Sequence, residues 1–507
     1  MATHPVLSKL KDASLFIEKG FIDGAWVASS SGETFAVHNP ATGTILGTCP
    51  DFTVDDTNRA VAAASTVFAS FRTTQPRQRA RLLRRWFELV VQNADDISIL
   101  LNLENGKPHA EARGEVDYAA NFLEWFSEEA PRIYGDVIPA TQAGNQIVTV
   151  KEPVGVCALI TPWNFPAAMI TRKVGAALAA GCTAVIKPAG ETPFTANALV
   201  ELARRAGLPR GVLNVVTAGR DCTPAVGAAL TASRLVHKCA AQGTTLKKLS
   251  LELGGNAPFV VLDDADLDAA VAGALTSKFR ASGQTCVCAN RIFVQAGVYD
   301  AFAARLAARV HSDLVVGNGA RDAATAAAAA TTRPAVTQGP LIHEQAVTKA
   351  DAHVQDAVAK GARVLVGGQR PPAVDQNARG GSFYQPTVLT GMTTDMRLAR
   401  EETFGPVAGL FRFTTDDEVV QLANSTDAGL AAYIFSGDVQ RAWRVARALD
   451  VGMVGLNTGL ISDVAAPFGG VKSSGFGREG SKYGVDEYVT TKMIMLGGIE
   501  SPIQSRL

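Results

Sequence analysis

ALITPWNFP at residues 158–166, AAMITRKVGAALAA at 167–180 and TAVIKPAGE at 183–191 decide the architecture between them. The first and third open on short apolar runs. The middle piece carries its apolar residues at helical spacing, so the series reads as strand (Ala158–Thr161), helix (Ala167–Ala180) and strand (Thr183–Lys187). Pro193–Ala206 continues as a helix and Val212–Val216 as a third strand. Alternation with short loops predicts a parallel, doubly wound α/β sheet. Ligands of such sheets sit beyond the carboxyl ends of the strands. Two polar clusters fall at that edge, Thr161–Pro166 and Lys187–Glu191.

Working outward, Phe21–Trp26 reads as a hairpin turning at Asp23-Gly24. Asp55–Phe71, Pro76–Glu104 and Ala110–Ala130 read as helices. Gln146–Lys151 and Val154–Leu159, parted by Glu152-Pro153, read as an exposed β pair, with Pro153 favouring an edge. Val364–Gly367, Val388–Leu389 and Val407–Phe411 suggest a second α/β lobe, and the alanine run Ala324–Ala330 a surface insertion.

The chemistry concentrates in FRASGQTCVCANR, residues 279–291. Cys286 and Cys288 follow a Gly-Gln-Thr turn, with Arg280 and Arg291 on either side. A cysteine reacts as its thiolate, which cationic neighbours favour. The same pair also reads as two small buried residues in a loop. No second pair of ligands stands at metal-binding spacing, so no metal site is expected. In LELGGN, residues 251–256, Glu252 lies between two leucines; if buried there its pKa rises, and otherwise it is an exposed edge residue. Gly475–Gly480 matches G-x-G-x-x-G, but without the preceding strand of a dinucleotide site.

Composition excludes several classes of function. Lys+Arg and Asp+Glu both number 48, so the net charge is zero and neither nucleic acid nor an anionic membrane is an expected partner. Seven scattered cysteines suit a reducing compartment. The first residues have no signal-peptide core, and no apolar run is long enough to span a bilayer, so a cytoplasmic enzyme is expected. At 507 residues the chain needs more than one core.

Taken together, TPWNFP, LELGG, GQTC, EETFGP (401–406) and PFGGVKSSGFGREG (467–480) resemble, in order, the motifs of the NAD(P)-dependent aldehyde dehydrogenase superfamily. The resemblance implies a Rossmann-like cofactor lobe, an α/β catalytic lobe and a small β bridging element for oligomerisation. It implies Cys286 as nucleophile, Asn164 as oxyanion donor and Glu252 as general base. It further implies that NAD or NADP is held by Thr161, Pro162, Trp163, Lys187, Glu402 and Phe404. Gly190 stands where many relatives carry a carboxylate, which leaves NADP open. Arg172, Arg280 and Ser462 resemble the succinate-semialdehyde dehydrogenase branch, where two arginines and a serine grip the distal carboxylate of the aldehyde. Cys288 also resembles that branch, in which the C-x-C pair forms a redox switch.

One departure stands out. The family's G-S-T-x-x-G segment, whose helix start meets the cofactor pyrophosphate, is absent, and the chain is shortened near 238–246. Losing two such hydrogen bonds would weaken cofactor binding by roughly 10²- to 10⁴-fold. Two functions follow: an aldehyde dehydrogenase acting on succinate semialdehyde or a similar short ω-carboxylated aldehyde, or a cofactor-deficient protein that keeps the fold. The expected parts are a cofactor-binding domain at 1–142 and 160–253, a catalytic domain at 254–482, and a bridging element at 143–159 and 483–507. Exposed strand edges of this kind predict a homodimer or homotetramer.

Overall fold

The computed structural model describes residues 6–239, 245–320, 335–372 and 381–499. The run Ala324–Ala330, residues 240–244 of the shortened segment and the tail beyond 499 lie outside them.

The first sheet has the order Lys248–Leu249, Val236–Cys239, Val156–Ile160, Thr183–Lys187, Leu213–Val215, Gly20–Ile22, Ala25–Val27. Its first five strands are parallel, and the N-terminal hairpin joins antiparallel at the edge. Asp23 and Gly24 take the positive φ values, 50° and 78°, that a two-residue hairpin turn requires. Helices α1 (Val54–Phe71), α2 (Pro76–Gln92), α3 (Ala94–Asn105) and α4 (His109–Glu129) precede the parallel strands, while α5 (Ala168–Ala180), α6 (Pro193–Arg205) and α7 (Thr223–Ala232) alternate with them. Side chains alternate across the inner strand Val156–Ile160. Cys157 and Leu159 enter the core with Phe122, Phe126 and Leu199, whereas Val156 and Ala158 meet Ala60, Val61 and Ala64 of α1. Successive strands run outward from Val156–Ile160 and then return to Val236–Cys239 on its other side. The switch point therefore lies at the Thr161 loop, where a ligand crevice is expected.

The second sheet runs Arg363–Val366, Thr387–Thr390, Val407–Phe413, Ala289–Gln295, Ala257–Val261, Ala431–Phe435, Met453–Leu456, parallel except at Arg363–Val366. Helices α8 (Leu267–Phe279), α9 (Tyr299–Asp313) and α10 (Glu344–Ala359) pack on it. A third, antiparallel sheet holds Asn145–Pro153 between Val489–Gly497 and Val137–Pro139.

Two expectations need correction. Pro76–Glu104 is two helices, because Asn93 leaves helical geometry at ψ 16° and caps the first with its amide on the Leu89 carbonyl. Val154–Leu159 does not pair with Gln146–Lys151. Val156–Ile160 is instead a buried inner strand of the first sheet, and the partner of Asn145–Pro153 comes from the far end of the chain. An apolar run of five residues suits either place, and only a pairing across more than 300 residues separates them.

Candidate active site

Three chain segments meet at Cys286. The Thr161 loop leaves the first sheet, LELGG crosses between lobes, and the Cys loop links α8 to the strand Ala289–Gln295. Two glycines make the approach possible. A Cβ on Gly255 would lie 2.2 Å from the Cys286 carbonyl oxygen. One on Gly283 (φ 76°) would lie 2.2 Å from the Gly405 carbonyl oxygen, so GQTC seats directly on the EETFGP turn. The cavity between them measures about 450 Å³. It is lined by Thr161, Pro162, Asn164, Arg172, Glu252, Cys286, Glu402 and Phe404, among others.

Within it, the Asn164 amide donates to the Gln284 carbonyl at 3.1 Å, which leaves its second hydrogen free, and its oxygen has no partner. Both Glu252 oxygens are buried without a partner. Burial pushes Glu252 up to about 8, with Glu479 adding to the rise and Arg172, Lys173 and Arg478 opposing it. The sequence-based expectation for Glu252 therefore holds. For Cys286 it reverses: burial and the neighbouring Glu252 push the thiol up to about 12 against the pull of Arg172. Arg291, expected to favour the thiolate, instead turns away and donates to the carbonyls of Asn256, Leu422 and Ala423. Cys288 is buried, its thiol pointing at the Lys278 carbonyl at 3.5 Å, and forms no disulfide.

Of the proposed cofactor residues, Thr161, Pro162, Glu402 and Phe404 line the Cys286 cavity and Lys187 a second one, whereas Trp163 lines neither. Glu402 accepts the Gly255 N–H at 3.1 Å and is pushed by burial to about 7. Phe404, at φ 54°, meets the Trp163 ring edge-on at 5.5 Å. Lys187 and Gly190 line a second cavity of about 640 Å³, which shares Thr161 with the first. The orphaned oxygens at Asn164 and Glu252 and two cavities that meet at Thr161 fit an extended polar cofactor reaching Cys286. Among the described residues no helix starts between Val236–Cys239 and Lys248, where the missing motif would stand.

Arg172 sits in the Cys286 cavity, with Nε 2.6 Å from Glu479 and its guanidinium 4.2 Å above the Phe468 ring. Arg280 lines a neighbouring cleft with Glu111, its guanidinium 5.5 Å over Phe165. Ser462 is half-buried and is not among the residues that line the Cys286 cavity.

Several supporting residues escaped the sequence reading. Lys107 and Glu115 form a buried ion pair behind Asn164: Lys107 also donates to the Asn164 carbonyl at 2.8 Å, and Glu115 accepts the Ala167 N–H at the start of α5 at 2.9 Å. His353 of α10 bonds Thr403 at 3.0 Å and Glu401 at 3.2 Å, clamping the strained turn that carries Glu402 and Phe404. The discounted Gly475–Gly480 stretch pairs with Leu251–Glu252 and supplies Glu479. Only the last had a sequence signal, and it suggested another role.

A family model described as "Aldehyde dehydrogenase family" matches residues 26–494. The chain belongs to the aldehyde dehydrogenase family. It is an NAD(P)-dependent aldehyde dehydrogenase, similar along nearly its whole length to enzymes of that kind. A glutarate-semialdehyde dehydrogenase of Pseudomonas aeruginosa is 51% identical over 97% of this chain and 100% of its own. An NADP(+) succinate-semialdehyde dehydrogenase of Escherichia coli is 51% identical over 96% and 100%. The crystal structure of a succinate-semialdehyde dehydrogenase from Burkholderia pseudomallei matches at TM-score 0.90 and 53% identity, covering 96% of this dehydrogenase and 99% of that chain. These likenesses do not support the alternative of a cofactor-deficient protein, which is not retained. No helix among the described residues is long and apolar enough to cross a membrane.

Proposed function

We propose that this aldehyde dehydrogenase oxidises a short aldehyde bearing a distal carboxylate, succinate semialdehyde or its one-carbon-longer homologue, to the dicarboxylate. The observation that carries the reading is the buried Arg172 guanidinium in the cavity of Cys286. Around it, Arg172 and Lys173 share the carboxylate of Glu479, which leaves a positive charge for a substrate anion while Glu252 is protonated. The names of the relatives point the same way. Arg280 and Ser462 complete the proposed clamp.

The Glu252 carboxylate, unbonded and ionised above about pH 8, takes the Cys286 thiol proton. Sγ then bonds to the aldehyde carbon, and the carbonyl electron pair moves to oxygen. The second Asn164 amide hydrogen and the Cys286 backbone N–H receive that oxyanion, each such donor being worth about 3 kcal/mol. A nicotinamide cofactor, when bound against Thr161, Pro162, Trp163, Glu402 and Phe404, with Lys187 towards its adenosine end, supplies the hydride acceptor. Glu252 gives up the thiol proton to solvent, and the aldehyde C–H leaves as hydride to that acceptor while the oxyanion collapses to a Cys286 thioester. Ionised again, Glu252 draws a proton from water, which attacks the thioester carbon and releases Cys286 as thiolate.

Steady-state rates with succinate semialdehyde and with butanal test the substrate. Arg172→Ala and Arg280→Ala should each lose the preference for the carboxylated aldehyde; retention of that preference in both variants refutes the clamp. Saturable binding of NAD or NADP at or below millimolar concentration is expected despite the shortened segment. Oxidation of Cys286 and Cys288 to a disulfide should silence the enzyme reversibly, and a loss under peroxide that thiol reductant cannot restore rejects that switch. The exposed Met493, Ile494, Met495 and Leu496 on the edge strand Val489–Gly497 support a homodimer or homotetramer built through the third sheet. Seven unpaired cysteines support a cytoplasmic setting. The lobes at 1–142 with 160–253, at 254–482, and at 143–159 with 483–507 are the proposed functional division, with Val156–Ile160 moved into the first.

A further inference from the structure

One buried polar group beside the active site has no part in the chemistry above. Tyr118 projects from α4 with its ring 4.8 Å from Phe122, and its buried hydroxyl has the Arg172 guanidinium as hydrogen-bonding neighbour; a guanidinium only donates, so the phenol O–H is left without an acceptor. A phenol withdrawn from water in this way is normally satisfied by something, so an unmet donor here points to a ligand. Its surroundings state the chemistry of that ligand. The Arg172 guanidinium lies 6.0 Å from the same Phe122 ring and 4.2 Å from Phe468. The Arg280 guanidinium lies over Phe165, the residue that follows Asn164. Burial raises the Tyr118 phenol, Arg172 and Arg280 draw it down, and Asp463, next to Ser462, pushes it up. The hydroxyl thus stands in the field of both guanidinium groups and of the segment that bears the serine. Arg172 is held by Glu479 through Nε, while on its other edge Nη2 meets only the weak acceptor Met169 Sδ at 3.1 Å, a contact that an anion can displace. Aromatic rings, two guanidinium groups and an O–H donor without an acceptor suit a carboxylate at the end of a short apolar chain.

We propose that the Tyr118 hydroxyl donates a hydrogen bond to the distal carboxylate of the substrate and is a further specificity-determining residue of this dehydrogenase. The proposal rests on the reading that the substrate is ω-carboxylated. An O–H donor also explains how a carboxylate is fixed in orientation as well as attracted, since Arg172 and Arg280 alone supply charge from two sides. Removing the donor and keeping the ring separates this role from packing against Phe122.

The test compares wild type with Tyr118→Phe on succinate semialdehyde and on butanal, which has the same chain length without the anion. In the variant, kcat/KM for succinate semialdehyde should fall roughly 10- to 100-fold, as expected for a lost hydrogen bond to a charged group. KM should carry most of the fall. The kcat/KM for butanal should stay within about twofold, which also shows that the variant is folded and chemically competent. Equal losses on both aldehydes, or an unchanged preference for the carboxylated one, overturn the proposal while leaving the substrate reading intact. A wild-type enzyme with no such preference overturns both.

Discussion

Replacing Glu479 by Gln removes one charge from the cluster that sets the proton affinity of Glu252. Glu479 lies 2.6 Å from Arg172 Nε and 2.6 Å from Lys173 Nζ; against the upward push of burial, these cations hold its carboxyl at about 2. Its negative charge is the second cause, after burial, of the rise of Glu252 to about 8. In the variant that repulsion disappears, and Arg172 and Lys173, freed of their counter-ion, attract the Glu252 carboxylate more strongly. A unit charge at a separation on the order of 5–10 Å, at an effective dielectric of 20, is worth about 2–3 kcal/mol, which corresponds to about 1–2 pH units. Glu252 acts as a base when ionised, so the rate rises as pH passes through its pKa. The rising limb of kcat should therefore centre near pH 8 in wild type and move to lower pH by about 1–2 units in Glu479→Gln. Breaking a buried ion pair also costs about 3–5 kcal/mol of stability, so the unfolding midpoint should fall as well. Glu479 has a depressed pKa, so its stabilising contribution is present above its ordinary carboxylate value and is lost as pH falls towards 2. The assay is kcat against pH at saturating cofactor and aldehyde, with the folded fraction checked at each pH. A limb that stays in place or moves to higher pH would falsify the assignment of Glu252 as the titrating base.

Asn164→Ala should lower kcat by about a hundredfold or more and leave KM nearly unchanged, because the amide acts on an oxyanion that forms only in the transition state. A loss confined to KM would contradict that role. Lys107→Met strands the Glu115 carboxylate in the interior and should cost about 3–5 kcal/mol in urea unfolding, whereas Lys107→Met with Glu115→Leu should recover part of it. An additive double variant would show that the two do not interact. His353→Ala removes two hydrogen bonds from the turn that holds Phe404 at φ 54°, so the KM for cofactor should rise about fivefold or more. An unaltered cofactor KM would mean that the turn holds its shape unaided.

The sequence by itself determined the parallel lobe, the Asp23-Gly24 hairpin, the second lobe and the identity of Cys286, Asn164 and Glu252 as candidate residues. Each rests on local rules, periodicity and turn chemistry, or on short motifs. It did not determine the partner of Asn145–Pro153, because strand pairing depends on the whole chain and Val489–Gly497 is remote in sequence. Nor did it determine the electrostatics. Arg291 stands five residues from Cys286, yet its guanidinium serves carbonyls elsewhere, and burial, which no local pattern specifies, takes the thiol up rather than down. The Lys107–Glu115 pair, the His353 clamp and the unmet Tyr118 hydroxyl belong to the tertiary structure alone. Their meaning comes from which groups the packing withdraws from water together, and that is a property of distances between segments.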